Sequence, residues 1–233
     1  IPAAMVRGAG GAGLLQVSQG RVMFGADGLP LFSGNVATGG VNLPRITGRM
    51  EQLAGGGLEL RLAMAPYAAA DASLAVPELR VRQAAGGAMT FDGRLLASGA
   101  SPGGFVRALS EPISGSISPS GAVAMWQACT PVRFASLAVA QLQVDGQQLT
   151  LCPPRGRSIL TYDSRGLTVA AGAPSLNLRG RLGESPLILT SKAVGFAWPG
   201  ALAAQDIGLV LGSGESASRL RLATLNAVLG QQV

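Results

Sequence analysis

The sequence predicts an all-β protein, mainly from its turn residues and from the two-residue period of its apolar positions. Thirty-four glycines and fourteen prolines stand between short apolar stretches. Turn-forming groups such as GADGLP (25–30) and LAGGG (53–57) recur at intervals of about 8 to 15 residues, which is typical of many strands joined by tight turns. No repeat of fixed period is visible, which disfavours a propeller or a regular β-helix.

Four stretches in which arginine alternates with leucine or valine predict the clearest strands. They are LELRLAM (58–64), ELRVR (78–82), LNLRGRL (176–182) and SRLRLA (218–223). Neighbouring side chains of an extended chain point to opposite faces. Each stretch is therefore expected to have one apolar face and one arginine-bearing face.

Helical patterns are scarce, and two segments are candidates. GGFVRALSEP (103–112) could form one or two helical turns that end before Pro112. SRLRLATLNAVLG (218–230) alternates well enough at its start to be a strand instead. The whole chain, residues 1–233, is expected to be a single β-rich module with few short helices.

The charge of the chain comes almost entirely from arginine. Seventeen arginines and Lys192 stand against twelve acidic residues, giving a formal net charge of +6. A basic protein can bind nucleic acid or an anionic membrane, but nucleic-acid sites concentrate their charge and interleave aromatic residues. Here the arginines are scattered singly and aromatic residues make up 4%. The pattern favours a solvated outer face over a phosphate-binding stripe, and we expect no nucleic-acid partner.

The apolar content is high for a soluble domain, at 48% of residues. No uninterrupted apolar run approaches the roughly 18 residues of a membrane-spanning helix. The chain starts at Ile1 without a basic-then-apolar leader, so we interpret it as a fragment of a longer protein or a processed chain.

The two cysteines, Cys129 and Cys152, are expected to form a disulfide. If the chain reverses at Ala140–Gln141, Val139 faces Leu142, and the same register brings the cysteines together. The apolar residues are odd-numbered before this point and even-numbered after it, which agrees with a reversal there. A disulfide would place the chain in the periplasm or outside the cell.

Asp145–Gly146 makes a competing prediction within the same segment. As a type I′ turn it would pair Val144 with Gln147 and carry Cys152 far from Cys129. We favour Gly146 as a bulge or kink inside a strand, which would shift Cys152 by about one position and leave it within bridging reach.

Catalytic and metal-binding patterns are weak throughout the chain. It contains no histidine, which removes Ser-His and Cys-His pairs and the usual zinc ligand sets. The twelve carboxylates are scattered without a close pair. We therefore expect no enzyme activity, no metal and no cofactor.

The aliphatic positions exceed what an ordinary sandwich of this size needs, which leaves two interpretations open. One is a conventional closed core. The other is an apolar groove shaped for acyl chains, because aliphatic walls accommodate hydrocarbon without polar partners. The candidate groove residues are Leu58, Leu60, Leu62, Leu137, Val139, Leu142, Val144, Leu149, Leu151, Leu187, Leu189, Phe196, Trp198, Ile207, Leu209, Leu211, Leu220 and Leu222.

A family resemblance bears on this choice. The segment MTFDGRLLASGASPGGFVRALSEPISGSISPSGAVAM (89–125) resembles the F-x-G-x-x-x-x-S-G … G … L-x-x-P-I-S-G pattern of AsmA-like proteins of the YdbH type. The segments CTPVRF … LTLCPPRG and GLTVAAGAPSLNLRGRLGESPLILTSKAVGFAWPG (166–200) are similar to cysteine-bearing proteobacterial members. The resemblance is strongest over residues 80–230 and rests on order and spacing.

The resemblance implies a long, bent, taco-like antiparallel sheet in the periplasm of a Gram-negative bacterium. It implies an inner-membrane anchor outside this chain and an apolar groove that passes phospholipid between the inner and outer membranes. The expected ligand is phospholipid or another acyl-chain molecule. The alternative function is a structural or adhesive secreted β-domain with a closed core and no ligand.

Overall fold

The predicted all-β fold class is confirmed. The computed structural model describes residues 3–7, 13–26, 28–40, 43–101 and 104–229. Within them the regular structure is antiparallel β, apart from one 3-10 turn at Gly214–Ser216. The chain divides into two compact units, one formed by Ile1–Leu96 with Ile113–Gly121 and the other by Ala97–Pro112 with Ala122–Val233.

The first unit is built from strands that follow one another along the chain. They are β1 (Ala3–Arg7), β2 (Gly13–Phe24), β3 (Pro30–Gly40), β4 (Leu43–Gln52), β5 (Leu58–Ala69), β6 (Ala72–Gln83) and the first part of β7 (Met89–Ser101). From β1 to β6, each strand pairs antiparallel with the next. After β6, the Ala84 N–H donates to Ala88 O at 2.8 Å and closes the turn.

The second unit has a less sequential strand order. Its strands are part of β8 (Gly104–Ile117), β9 (Val123–Met125), β10 (Thr130–Val139), β11 (Leu142–Leu151), β12 (Leu160–Asp163), β13 (Gly166–Ala173), β14 (Leu176–Leu182), β15 (Ser185–Ser191), β16 (Ala193–Trp198), β17 (Gly200–Leu211) and β18 (Ser218–Leu229). β10 pairs with β8 and β11, and β11 continues to β14. β17 pairs with β15 and β16 along one edge and with β18 along the other.

Four of these strands behave as two long ones. β13 followed by β14 pairs with β15 followed by β16 in a single register, from Leu182↔Ser185 to Val169↔Trp198. β17 keeps one register along both halves of its partner, from Leu187↔Leu211 to Phe196↔Leu202. The breaks between the named strands are therefore local and leave the strand alignment unchanged.

The helical candidate at 103–112 is wrong, since residues 104–112 lie within strand β8. Val106 pairs with Leu137 and Ala138 with Phe105, so β8 forms a ladder with β10. Its β-branched and aromatic residues suit that ladder, and tertiary pairing overrides the helical preference of the Arg-Ala-Leu segment. The second candidate segment is strand β18, as its alternation indicated.

The disulfide is confirmed, and its register is the one predicted for a reversal at Ala140–Gln141. Val139 pairs with Leu142, and pairing continues without a shift to Thr130↔Leu151. Cys129 and Cys152 therefore stand directly opposite each other, with Sγ atoms 2.03 Å apart. The competing turn at Asp145–Gly146 does not form, because both residues lie inside β11. The expected one-residue shift at Gly146 is wrong, since the register is the same on both sides of it.

Burial in this protein is shallow. The buried hydrophobic residues among those described are Met64, Ala75, Phe134, Val144, Ile159, Ala173, Leu187 and Ala204. The chain exposes 14880 Å² of surface. A compact monomer of 23.4 kDa would expose about 9,700 Å². Most aliphatic side chains are therefore half-buried, with one side open to solvent.

Candidate functional site

Four leucines on neighbouring strands of the second unit lie opposite one another. Leu178 pairs with Leu189, and Leu189 pairs with Leu209. Leu209 in turn pairs with Leu220. Residues opposite each other across antiparallel strands project from the same side of the sheet and are in contact distance. The four side chains therefore form an aliphatic band that crosses β14, β15, β17 and β18.

A second row runs beside this band and extends further. Its members in strand order are Val106, Leu137, Val144, Gly180, Leu187 and Leu211. We call the surface formed by the two rows and their same-side neighbours the apolar face. Those neighbours are Val139, Leu142, Leu176, Leu182, Ile207 and Leu222.

The opposite side of the same strands carries arginine. Arg179 pairs with Ile188, and Arg219 pairs with Val210, so these four residues form a row across the sheet. Arg181 and Arg221 lie two residues further along their strands, and all four arginines are exposed. Because guanidinium groups stay hydrated, the arginine side faces water. The leucines lie on the opposite side of the sheet.

If side chains alternated without interruption, the apolar residues in the second half of these strands would point to the arginine side, and the apolar face would end halfway along. Along β17, Leu202 and Ala204 are more buried than their immediate neighbours, whereas residues 207–211 are all half-buried. Strand pairing places Ile207 opposite Leu222 on the apolar face, so the alternation changes phase between Ala204 and Ile207. The residues at the change, Gln205 and Asp206, are both exposed. Asp206 has a φ of 49°, and this left-handed conformation turns two successive side chains to the same side.

The same phase change lies at matching positions of the neighbouring strands. Between β13 and β14 the successive exposed residues are Pro174 and Ser175, and between β15 and β16 the interruption is at Lys192. The constant register places Ser175, Lys192 and Asp206 on one line across the sheet. We call this line the phase-change row.

Polar contacts hold the phase-change row together. Lys192 Nζ lies 2.8 Å from Asp206 Oδ2, and the Lys192 N–H donates to Gln205 O at 3.1 Å. The ion pair raises the pKa of Lys192, first through the hydrogen bond to Asp206. On the other side of the sheet, the buried Ser191 hydroxyl lies 2.6 Å from Gln205 O and 3.0 Å from Ala193 O.

Because of this row, the more buried side remains apolar on both halves of the long strands. Beyond the row it consists of Val169, Ala171, Ala173, Val194, Trp198, Leu202, Ala204 and Ala227, with Phe196 and Leu225 more exposed. Phe196 pairs with Ala171 and Leu202, so these residues form one aliphatic and aromatic row. The candidate residues Phe196 and Trp198 thus lie on the same side as Leu187 and Leu189, although their sequence parity differs.

A similar phase change explains the positions of Leu149 and Leu151. In β11 the more buried residues are even-numbered up to Val144 and odd-numbered from Gln147 onward, while Asp145 and Gly146 are both exposed. Leu149 pairs with Val132, and Gln147 pairs with the buried Phe134. The Asp145–Gly146 pair is therefore a point where the strand changes phase.

The candidate residues Leu58, Leu60 and Leu62 lie in the first unit. Leu60 is flanked by Met50 and Val81, while Leu62 is flanked by Gly48 and Leu79. All three leucines are half-buried, and they form an apolar side of this unit.

The other side of that sheet carries a charge cluster around Glu59. Glu59 is buried, and its carboxylate accepts hydrogen bonds from Arg61 Nε at 2.8 Å and from Arg82 Nε at 2.9 Å. Arg80 Nε lies 3.6 Å away. The hydrogen bond from Arg82, followed by that from Arg61, lowers the pKa of Glu59.

The apolar face is open to different degrees along its length. Val144 and Leu187 are 3% and 8% exposed, whereas Leu220 and Leu222 near the end of the chain are 50% and 39% exposed. The remaining candidates are half-buried, except Val139 and Phe196, which are more exposed. Their side chains can therefore be contacted by a ligand from one side.

Sequence reasoning missed several residues of this face. Leu176 and Leu178 stand in the recognised LNLRGRL stretch but were not assigned to the groove, and Val106 was placed in a helical segment. Leu202 and Ala204 were missed because their parity is opposite to that of Ile207 and Leu209. In the sequence, the phase change is visible as a switch of the apolar residues from even-numbered to odd-numbered positions within one strand.

No group of three or more His, Cys, Asp or Glu side chains in the described ranges is placed to hold a metal ion. In the same part of the chain, no helix has the length and apolar character needed to cross a membrane.

Comparison with known proteins agrees with the family resemblance and extends it. No curated protein and no solved structure matches the chain. The family model described as "YdbH-like: Intermembrane phospholipid transport protein YdbH" matches residues 2–232, including the first 80 residues, where no specific motif was recognised. The all-β fold, the cysteine pair and this nearly complete match agree, and the chain belongs to the YdbH-like family of intermembrane phospholipid transport proteins.

Proposed function

We propose that the chain is a non-enzymatic conduit that binds phospholipid acyl chains on its apolar face. The observation that carries this proposal is the unbroken leucine row Leu178–Leu189–Leu209–Leu220, which is matched by arginine on the opposite side of the same strands. A solvated protein gains nothing from a partly exposed aliphatic band unless something apolar covers it. Acyl chains fit it, because they need apolar contact and no hydrogen-bond partner.

Binding on this face is favourable by a simple estimate. Each methylene removed from water contributes about 0.8 kcal/mol. Ten methylenes laid against the leucines would therefore contribute about 8 kcal/mol before the entropy of ordering the chain is subtracted. The headgroup phosphate would remain hydrated, because the face is open along one side.

Movement of a lipid along the face requires no chemical step. Rows of aliphatic residues offer similar contacts at successive positions, so that a bound acyl chain meets no deep minimum. The phase-change row supports this continuity by keeping Ile207 and Ala204 on the same side of β17. Within the first unit, the candidate residues Leu58, Leu60 and Leu62 offer an acyl chain the same kind of aliphatic contact.

The exposed area argues against the alternative of a closed structural domain. A filled sandwich of this mass would bury its aliphatic side chains, whereas this chain exposes 14880 Å² and has no fully buried large side chain among its described residues. The disulfide supports an oxidising compartment, and we place the chain in the periplasm of a Gram-negative bacterium. We further propose that a segment outside this chain anchors it in the inner membrane.

Site-specific photocrosslinking can test the apolar face directly. A benzophenone amino acid at Leu189 or Leu209 should crosslink phospholipid when the protein is made in a Gram-negative host. The matched controls are Ile188 and Val210, which neighbour these residues on the same strands and point to the arginine face. We expect lipid adducts, measured by mass spectrometry, at the first pair and not at the second.

Equal crosslinking at all four positions would contradict a ligand confined to the apolar face. Absence of lipid at Leu189 and Leu209 in correctly folded protein would favour the closed structural domain.

A second variant tests the same point without a bulky probe. Leu142→Asp combined with Leu149→Asp should reduce the phospholipid that copurifies with the chain.

A further inference from the structure

Glu111 is a carboxylate in an unexpected position. The preceding residue of β8, Ser110, pairs with Arg133, whose side chain lies on the exposed side and donates to Gln148 Oε1 at 2.6 Å. Side chains alternate along a strand, so Glu111 points to the opposite side, that of Val132 and Leu149. This is the side that continues the apolar face past the phase change in β11.

Glu111 is charged, unlike the residues that surround it on this side. Among the described residues of the second unit that register and burial assign to the apolar face, all the others are aliphatic, aromatic or uncharged polar. Two of the uncharged polar residues, Thr130 and Gln147, lie on the same side of the adjoining strands β10 and β11. The register separates these two residues by four positions along the strands, so Glu111 stands as an isolated charge within the apolar face.

The Glu111 carboxylate has no partner of its own. It is half-buried, and no described residue donates a hydrogen bond to it or forms an ion pair with it. The nearby arginines, Arg107 and Arg133, are exposed and are directed to the other side of the sheet. Burial raises the pKa of Glu111.

The backbone next to Glu111 is held in place. The Trp126 indole N–H donates to Pro112 O at 2.7 Å, one residue beyond the carboxylate. This hydrogen bond fixes β8 at the point where the side chain turns inward. Since the strand is already held at this point, only the Glu111 side chain has to be ordered when a cation binds.

We propose that Glu111 binds the ammonium group of an ethanolamine-type phospholipid headgroup whose acyl chains lie on the apolar face. The inference rests on the proposed function and adds a headgroup preference to it. An ammonium donates hydrogen bonds to a carboxylate and supplies the missing charge. A glycerol headgroup carries no positive charge and would gain no ion pair.

The test uses vesicles that contain equal amounts of phosphatidylethanolamine and phosphatidylglycerol. The delipidated chain is incubated with them and re-isolated, and bound lipids are quantified by mass spectrometry. We expect a phosphatidylethanolamine enrichment of about three- to tenfold, because an ion pair of this kind contributes up to about one tenfold step in affinity. Glu111→Gln should abolish the enrichment without lowering total bound lipid, and Glu111→Lys should reverse it.

Glu184→Gln is the matched control, since Glu184 is exposed in the turn between β14 and β15. It should leave the enrichment unchanged. An identical headgroup ratio in the unmodified chain, Glu111→Gln and Glu111→Lys would overturn the proposal while leaving lipid binding intact. Absence of any bound lipid in the unmodified chain would contradict the proposed function itself, and the two failures are thus distinguishable.

Discussion

Gly180 is the residue at which β11 and β14 make their closest approach. It pairs with Val144 and lies in the middle of the second apolar row. A β-carbon at this position would overlap the Gln143 carbonyl oxygen and lie 2.9 Å from Val144 Cα. Both contacts are with backbone atoms, so no side-chain rearrangement can relieve them.

We predict that Gly180→Ala destabilises the protein by roughly 1–3 kcal/mol, because the two strands must separate to admit the methyl group. Urea unfolding followed by circular dichroism measures this change. Gly195→Ala is the control, since a β-carbon there meets no atom within 4 Å. Equal stability of the two variants would show that β11 and β14 do not approach as closely as described.

Glu59 makes a prediction about pH. Its pKa is lowered in the folded state, mainly by hydrogen bonds from Arg82 and Arg61. A lowered acid pKa stabilises the fold above the pKa of the unfolded chain, and this contribution is lost as the pH falls through the folded value. Unmodified protein should therefore melt at a higher temperature than Glu59→Gln at pH 7.

The difference in melting temperature should shrink as the pH falls below the ordinary glutamate range, because the protonated carboxyl resembles the amide. Thermal unfolding at a series of pH values measures it. A difference that stays constant down to the acid limit would mean that the charge of Glu59 does not matter to stability.

At the scale of single strands, much of the fold could be predicted from the sequence. The alternating arginine stretches identified β5, β6, β14 and β18, and apolar parity around Ala140–Gln141 gave the register that pairs Cys129 with Cys152. The same disulfide closes a loop that would stabilise the fold by about 3 kcal/mol in the chain-entropy model.

The phase changes were missed, because the residues that form them are not distinctive. Ala108 and Asp206, two left-handed residues inside strands, are not glycines. Ala-Leu and Gln-Asp sequences are compatible with regular alternation, and only the pairing of neighbouring strands imposes the interruption. The Asp145–Gly146 pair resembles a hairpin turn for the same reason, since both features use residues that tolerate unusual φ values.

Two substitutions of Asp206 test whether the phase-change row depends on the left-handed conformation of this residue. Asp206→Val should lower the free energy of unfolding by roughly 1–3 kcal/mol, because a β-branched residue tolerates the left-handed conformation poorly. Asp206→Asn keeps a residue that adopts this conformation and loses only the exposed ion pair with Lys192, so it should cost less than about 1 kcal/mol.

Denaturant unfolding of the two variants at neutral pH gives this comparison. If Asp206→Val were as stable as Asp206→Asn, the strand would accommodate regular alternation at this position. The apolar face would then not depend on the left-handed residue for its continuity.

At the scale of the molecule, the exposed area makes a calorimetric prediction. The heat capacity of unfolding follows the surface that becomes exposed, and this chain already exposes 14880 Å² when folded. It therefore buries roughly four fifths of the area that a compact protein of the same mass would bury. The heat capacity change of the delipidated chain should therefore be roughly four fifths of that of a compact 233-residue protein.

Differential scanning calorimetry of delipidated and lipid-loaded protein distinguishes the two states. Phospholipid that covers the apolar face should raise the melting temperature and increase the heat capacity change, because more apolar surface becomes exposed on unfolding. If the heat capacity change of the delipidated chain equals that of a compact protein, the leucines close against one another in solution. The apolar face would then have to open before it could accept an acyl chain, and lipid binding should be correspondingly weak.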